Sequence, residues 1–249
     1  MKENISITIL AKNSSETIAA TLLSTKGFNE VLVVDTGSTD DTVAICQQFL
    51  HVTIAHTSFI GFGPTHNTAS SLALNDWILS LDSDEILTDD LRQEILSLSL
   101  EKDTVYSIQR HNYFNRKRMT TCSGWDPDWV CRLYNKQSCS FSLDQVHEKL
   151  LCSHLKKRKL QHPMIHTPYR AISDLLQKMQ TYSTLFAKQK ADLKSSSVWN
   201  ALFHGWMAFI KSYFLKRGIL QGAEGLVLSL YNAHTTWYKY LKRTNMLKK

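Results

Sequence analysis

Asp82 and Asp84 close an apolar run, Trp77-Ile78-Leu79-Ser80-Leu81, and Glu85 follows directly. The run is short enough to be a core strand. Two carboxylates two positions apart on an extended chain point to the same side. Such a pair at a strand end can share a hard cation, Mg2+ or Mn2+, because both prefer oxygen ligands. The same acids equally suit a solvated turn ahead of a helix beginning near Thr88. Asn13 and Asp35 stand in comparable places, just past the apolar runs 5–11 and 31–34. Asp35 is also a natural turn residue before Thr36-Gly37-Ser38-Thr39. Further along, His147 beside Glu148 offers an acid/base pair. Trp125 and Trp129 flank Asp126-Pro127-Asp128 and suit either a core plug or a platform for a sugar ring.

The surrounding pattern says how such residues could be brought together. Strands are expected at 5–11, 31–34, 52–55, 77–81 and 105–110. Helices are expected after Asn13, after Thr39 with Asp40 and Asp41 in its first turn, over 65–74 and over 89–98. Asn13 with Glu16 three residues on resembles a capping box. Strands alternating with helices of about ten residues imply a mostly parallel sheet with helices on both faces. In such sheets ligands bind beyond the carboxyl ends of the strands, where Asn13, Asp35, Asp82 and Asp84 lie. The sequence contains no GxGxxG or Walker A pattern, which disfavours dinucleotide and P-loop chemistry.

Beyond residue 110 the pattern loosens, and Lys156-Lys157-Arg158-Lys159 reads as a solvated charge run. From about 171 the period is helical, with Leu175, Leu176, Met179, Tyr182, Leu185 and Phe186 on one stripe. Lys194–Ser197 is the best linker candidate. Two apolar helices follow, at about 198–215 and 225–241, rich in aromatic and basic residues. Helices of that composition suit a membrane interface, or else a hairpin packed on the rest of the chain. The expected division is therefore a catalytic domain over 1–195 and a membrane-associating helical segment over 196–249.

At 249 residues with 43% hydrophobic and 20% charged residues, the chain is globular rather than disordered. No signal-peptide pattern opens it, and no stretch offers 18 clean apolar residues for a span. A cytoplasmic chain with five reduced cysteines is expected. Cys131, Cys139, His147 and Cys152 do not match a zinc spacing. The net charge of +7 is unevenly spread: residues 1–148 hold 11 Lys and Arg against 19 Asp and Glu, and residues 149–249 hold 18 against 3. So basic a half suggests an anionic partner. Nucleic acid is disfavoured by the apolar helices, because nucleic-acid surfaces are polar and wet.

ITILAKN at 7–13, VVDTGSTDDT at 33–42, GFGPTHNTA at 61–69 and DWILSLDSDE at 76–85 resemble the family 2 inverting glycosyltransferases. HNYFNRK at 111–117, GWDPDWVCRLY at 124–134 and VHEK at 146–149 resemble more narrowly the bacterial lipopolysaccharide inner-core β-glucosyltransferases. The resemblance implies a GT-A fold, which is a Rossmann-like mostly parallel sheet. It implies a UDP-sugar donor, a divalent metal and a glycolipid acceptor, with the enzyme peripheral to the inner face of the cell membrane. It implies that Lys12 and Asp35 contact the nucleotide, that Asp82 faces the ribose and metal, and that Asp84 ligates the metal. It also implies that Arg132 shapes the pocket and that Glu148 is the general base. Thr36, His66 and Asp126 depart from the residues commonest in relatives. The rival expectations are transfer onto another surface glycan, a basic nucleic-acid-binding protein, and a non-catalytic scaffold.

Overall fold

The computed structural model describes residues 4–122, 124–144, 148–169, 171–189 and 197–246. These residues divide into two compact units. The first comprises 1–110 and 129–166, and the second comprises 111–128 and 167–249.

The first unit is built on strands β1 (Ile5–Ala11), β2 (Glu30–Asp35), β3 (Val52–His56) and β4 (Trp77–Asp82). They lie side by side in the order β3-β2-β1-β4, all parallel. Helices α1 (Ile18–Ser24), α2 (Thr42–Cys46) and α3 (Phe62–Leu72) make the crossovers. Parallel strands are covered on both faces, and alternation along β2 shows how. Val31 and Val33 join Ile7, Ile9, Leu79 and Leu81 in a core shared with Ile18 and Leu22 of α1. Leu32 and Val34 pack the opposite way, with Ala69 of α3.

After β4 come β5 (Glu85–Leu87), α4 (Asp89–Ser97) and β6 (Thr104–Phe114). Thr88 caps α4, its hydroxyl accepting from the Leu91 amide at 3.2 Å. The short β7 (Lys117–Arg118) pairs with the end of β6. Then follow β8 (Asp128–Asn135), β9 (Lys156–Lys159) and β10 (Met164–Tyr169). The full order is β3-β2-β1-β4-β8-β6-β10-β5. Because β8 runs antiparallel to β4, the sheet is mixed rather than wholly parallel. β5 follows β4 after two residues yet lies four places along, so the sheet curls.

Several local expectations change. Asn13 does not cap α1; it takes a left-handed φ of 51° and accepts from the Thr39 amide at 2.8 Å, tying two loops together. Asp40 and Asp41 precede α2, and Asp40 accepts from the Ser15 and Thr42 amides, each at 3.1 Å. The basic run at 156–159 is an exposed edge strand, β9, parallel to β6. A row of lysines on a sheet edge discourages further strand pairing.

The second unit holds α5 (Ile172–Gln189), α6 (Val198–Ile210) and α7 (Gly222–Met246). α7 packs on both α5 and α6. Its core joins Phe114, Met119, Cys122 and Trp125 to Leu175 and Leu228. Trp125 is thus a core plug, not an open platform. α6 and α7 share their compact unit with 111–128 and with α5. Residues 194–196 of the linker candidate Lys194–Ser197 lie outside the described residues.

Candidate active site at the carboxyl ends of the parallel strands

Register brings the candidate residues into one row. Ala11 stands opposite Asp35 of β2, and Leu10 stands opposite Asp82 of β4. Two strand spacings, about 10 Å, therefore separate the backbones of Asp35 and Asp82 across the end of β1. Lys12 is exposed on the residue after β1.

Asp35 is buried and its carboxylate closes the turn behind it. It accepts from the Gly37 and Ser38 amides at 3.2 Å, and His56 Nδ1 lies 3.3 Å away. Gly37 takes a φ of 99°, which a side chain would resist. Burial alone would raise the Asp35 carboxyl, but the bonds from Ser38, Gly37 and His56 outweigh it and hold the group below its ordinary range.

The extended chain ends at Asp82 and turns at 83–84, so strand alternation does not set the side to which Asp84 points. Each carboxylate is held separately. Asp82 pairs with the Arg132 guanidinium from β8, and Asp84 Oδ2 lies 3.7 Å from His166 Nε2 on β10. Burial would raise the Asp82 carboxyl; Arg132, with His66, His166 and Arg110, overrides it and keeps the group ionised well below the usual carboxylate range.

Glu85, Arg110 and His166 were not singled out from sequence. Glu85 is wholly buried and accepts from the Asp82 amide at 3.0 Å, from Arg132 at 2.6 Å and from Arg110 at 3.3 Å. Burial pushes its carboxyl up despite the two guanidiniums. Arg132 is buried between the two acids, so its cation is committed to the protein. Only its adjacency to Asp84 in LDSDE could have drawn attention to Glu85. His166 faces Glu85 through the β5–β10 register, 81 positions away in sequence, where no local signal exists.

His66 is buried, stacked on Phe141 at 4.6 Å, with Nδ1 3.2 Å from Ser80 Oγ. Burial brings its pKa down to about 4, so it is neutral near pH 7 and supplies no fixed cation for a phosphate. Trp129 is half-buried with Lys159 Nζ 4.3 Å over its ring. Cys139 and Cys152 lie in an apolar cluster with Cys131 beside them, and burial pushes the Cys139 thiol up to about 12.

Glu148 is half-buried on the segment leading back from Phe141. That segment is pinned by neighbours: Phe141 bridges Leu150, Ser142 N donates to Lys149 O at 2.8 Å, and Asn67 of α3 bonds both backbone groups of Phe141. The Gly63 amide donates to Asp144 O at 3.2 Å. His147 lies outside the described residues.

Among the described residues no three His, Cys, Asp or Glu side chains form a ready metal cage. Mg2+ or Mn2+ held by one or two carboxylates and by substrate phosphates needs none. Asp82, 38% exposed in its side chain, and the partly exposed Asp84 have the oxygen chemistry and the access for that role.

Comparison with known proteins identifies the family. Residues 6–148 match the model of glycosyl transferase family 2. The chain is 32% identical to an uncharacterized glycosyltransferase of Rickettsia felis, over 99% of this chain and 92% of that one. It is 22% identical to the lipopolysaccharide core biosynthesis glycosyltransferase LpsC of Rhizobium meliloti, over 92% of this chain and 87% of the relative. The structure of S. aureus TarS 1–349 aligns with 98% of this chain and 89% of its own, with 15% identity and a TM-score of 0.47. The curled α/β sheet is the GT-A fold of its relatives, and the chain belongs to glycosyl transferase family 2.

Proposed function

We propose that this glycosyltransferase moves glucose from a UDP-sugar to a lipopolysaccharide-core or similar glycolipid acceptor, with inversion at the anomeric carbon. The observation that carries the reading is the row of Asp35, Asp82 and Asp84 at the carboxyl ends of β2 and β4 and in the turn beyond. The printed name of the Rhizobium relative supports the choice of acceptor. The motifs at 111–117 and 124–134 support the choice of glucose. The acceptor would be met at an anionic membrane on the inner face of the cell membrane. The runner-up is transfer onto another surface glycan.

The roles rest on the resemblance to family 2, and the position of the residues in the fold supports them. Lys12 and Asp35 border the nucleotide, Asp35 presenting a carboxylate already oriented by its turn. Arg132 and Glu85 fix Asp82 at the strand end. Asp82 and Asp84 would hold Mg2+ or Mn2+, which when bound offsets negative charge on the leaving diphosphate. The acceptor hydroxyl attacks the anomeric carbon from the face opposite the leaving group. Glu148 takes the hydroxyl proton as the new bond forms. Alignment of the two substrates supplies much of the remaining acceleration.

Calorimetric titration of UDP with and without Mn2+ tests the donor half. Asp84→Asn keeps shape and removes charge. It should lose most of the metal-dependent UDP affinity with little change in melting temperature. Equal metal-dependent binding by the variant would remove Asp84 from the site.

A further inference from the structure

α6 is built inside out. Its inner side is made of small residues: Ala201 and Gly205 are buried, and a Cβ on Gly205 would come within 3.1 Å of Trp237 Cβ and 3.2 Å of Ala233 O on α7. Its outer side carries Trp199 (79% exposed), Leu202, Phe203, Trp206 (61%) and Met207. An ordinary surface helix does the reverse, turning large apolar residues inward. The apolar surface continues beyond the helix. Residues 211–215 form a π-helical turn and 218–221 a 3-10 turn, and Phe214, Leu215 (71%), Ile219 and Leu220 are exposed there.

Trp237 and Tyr240 of α7, by contrast, are engaged within the unit. Trp237 covers Gly205, and Tyr240 stacks on His204 at 4.4 Å. Of the two helices expected to meet a membrane, α7 is therefore the supporting one.

Charge selects the occupant. Residues 198–221 contain Lys211, Lys216 and Arg217 and no Asp or Glu, and Lys211, Lys216 and Arg217 are all exposed. A second copy placed symmetrically on this face would set the three cations against their own equivalents. An anionic lipid surface accepts both features, apolar side chains entering the acyl boundary and cations meeting headgroups. Length selects the mode. Thirteen residues span about 20 Å, short of a hydrocarbon core of about 30 Å. No helix among the described residues is long and apolar enough to cross a membrane.

We propose that the outer face of α6 together with the tip at 214–220 lies in the interface of an anionic bilayer, with α7 packed behind it. The purpose of this surface rests on the glycolipid acceptor proposed above, but its test does not. The full chain is sedimented with phosphatidylglycerol-containing vesicles at low salt, without donor or acceptor. Binding is expected, at least tenfold stronger than to phosphatidylcholine alone. Trp199→Ser/Trp206→Ser and Leu215→Ser/Leu220→Ser should each weaken it at least tenfold with unchanged circular dichroism. Leu50→Ser, an exposed apolar residue of the first unit, should bind as the parent does. The proposal is overturned if the parent ignores the vesicles, or if both double variants bind normally. It is also overturned if lipid-free sedimentation shows a dimer that Trp199→Ser/Trp206→Ser dissolves. UDP binding and transfer to a detergent-dispersed acceptor are measured on the same samples. Intact transfer with no vesicle binding sinks the surface alone, and vesicle binding without any transfer sinks the acceptor reading alone.

Discussion

Glu85 does more for this site than its silent place in the sequence suggests. Arg132 and Arg110 converge on one of its oxygens while the Asp82 amide takes the other. An amide in its place can accept at only one oxygen, so Glu85→Gln leaves an N–H2 facing a donor in a buried site. Removing one member of a buried ionic cluster costs about 3–5 kcal/mol. Urea unfolding of Glu85→Gln should show a loss of at least about 2 kcal/mol, together with weaker UDP binding because Asp82 loses its anchor. A variant as stable as the parent would mean that the cluster contributes nothing. Glu148 answers to a different test, since its expected role is confined to turnover. Glu148→Gln should bind donor and metal normally and turn over about 10²-fold more slowly, the scale of general-base catalysis. Near-normal turnover, joined with an inactive Asp128→Asn that still binds donor, would transfer the role to Asp128.

At the scale of elements, the telling contact is between α3 and the segment that leads to Glu148. A Cβ on Gly63 would sit 1.8 Å from Ser142 O and 3.1 Å from Asp144 O. The glycine is required by that approach, not by its φ. Gly63→Ala must push the 142–144 segment away or shift the start of α3, and overpacking of this kind costs about 1–3 kcal/mol. Since Ser142 is bonded to Lys149, the displacement reaches the neighbour of Glu148. Gly63→Ala should therefore lower kcat while leaving UDP affinity within about twofold, an expectation that rests on the sensitivity of catalysis to small misplacements. A Gly63→Ala enzyme with normal kcat would separate this contact from catalysis.

Across the whole molecule, charge divides unevenly between the units. The second unit carries 16 Lys and Arg against 5 Asp and Glu, the first 13 against 17. Burial holds His66 of the first unit far below the ordinary histidine value, and it lowers His111 of the second unit as well. The folded pKa of His66, about 4, lies below the ordinary value of 6.5. Between those values the unfolded chain binds a proton that the folded chain refuses, so stability falls as pH drops from 6.5 toward 4. The full difference corresponds to about 3 kcal/mol. The unfolding free energy of the parent should decline across that window, and that of His66→Asn should be flatter by a comparable amount. Parallel curves for the two proteins would mean that His66 is protonated in the fold.

The elements of the first 110 residues were largely legible in the sequence, because each parallel strand is an apolar run with polar chemistry at its end. That rule located Asp35, Asp82 and Asp84 as well as β1 to β4, since local composition determines both strand and terminus. It failed where a partner comes from afar. Arg132 lies 50 positions from Asp82, Arg110 lies 25 from Glu85 and His166 lies 82 from Asp84, and no periodicity records that the sheet joins them. Asp40 and Asp41 signalled a helix start, yet the loop bonds to Ser15 and Thr42 occupied Asp40 first. The apolar and aromatic composition of α6 was visible in sequence, but composition does not say which side a neighbour covers. Only packing decided that, because the backbone of α7 comes close to Gly205, where the missing side chain leaves room, and leaves Trp199, Phe203 and Trp206 on the outside.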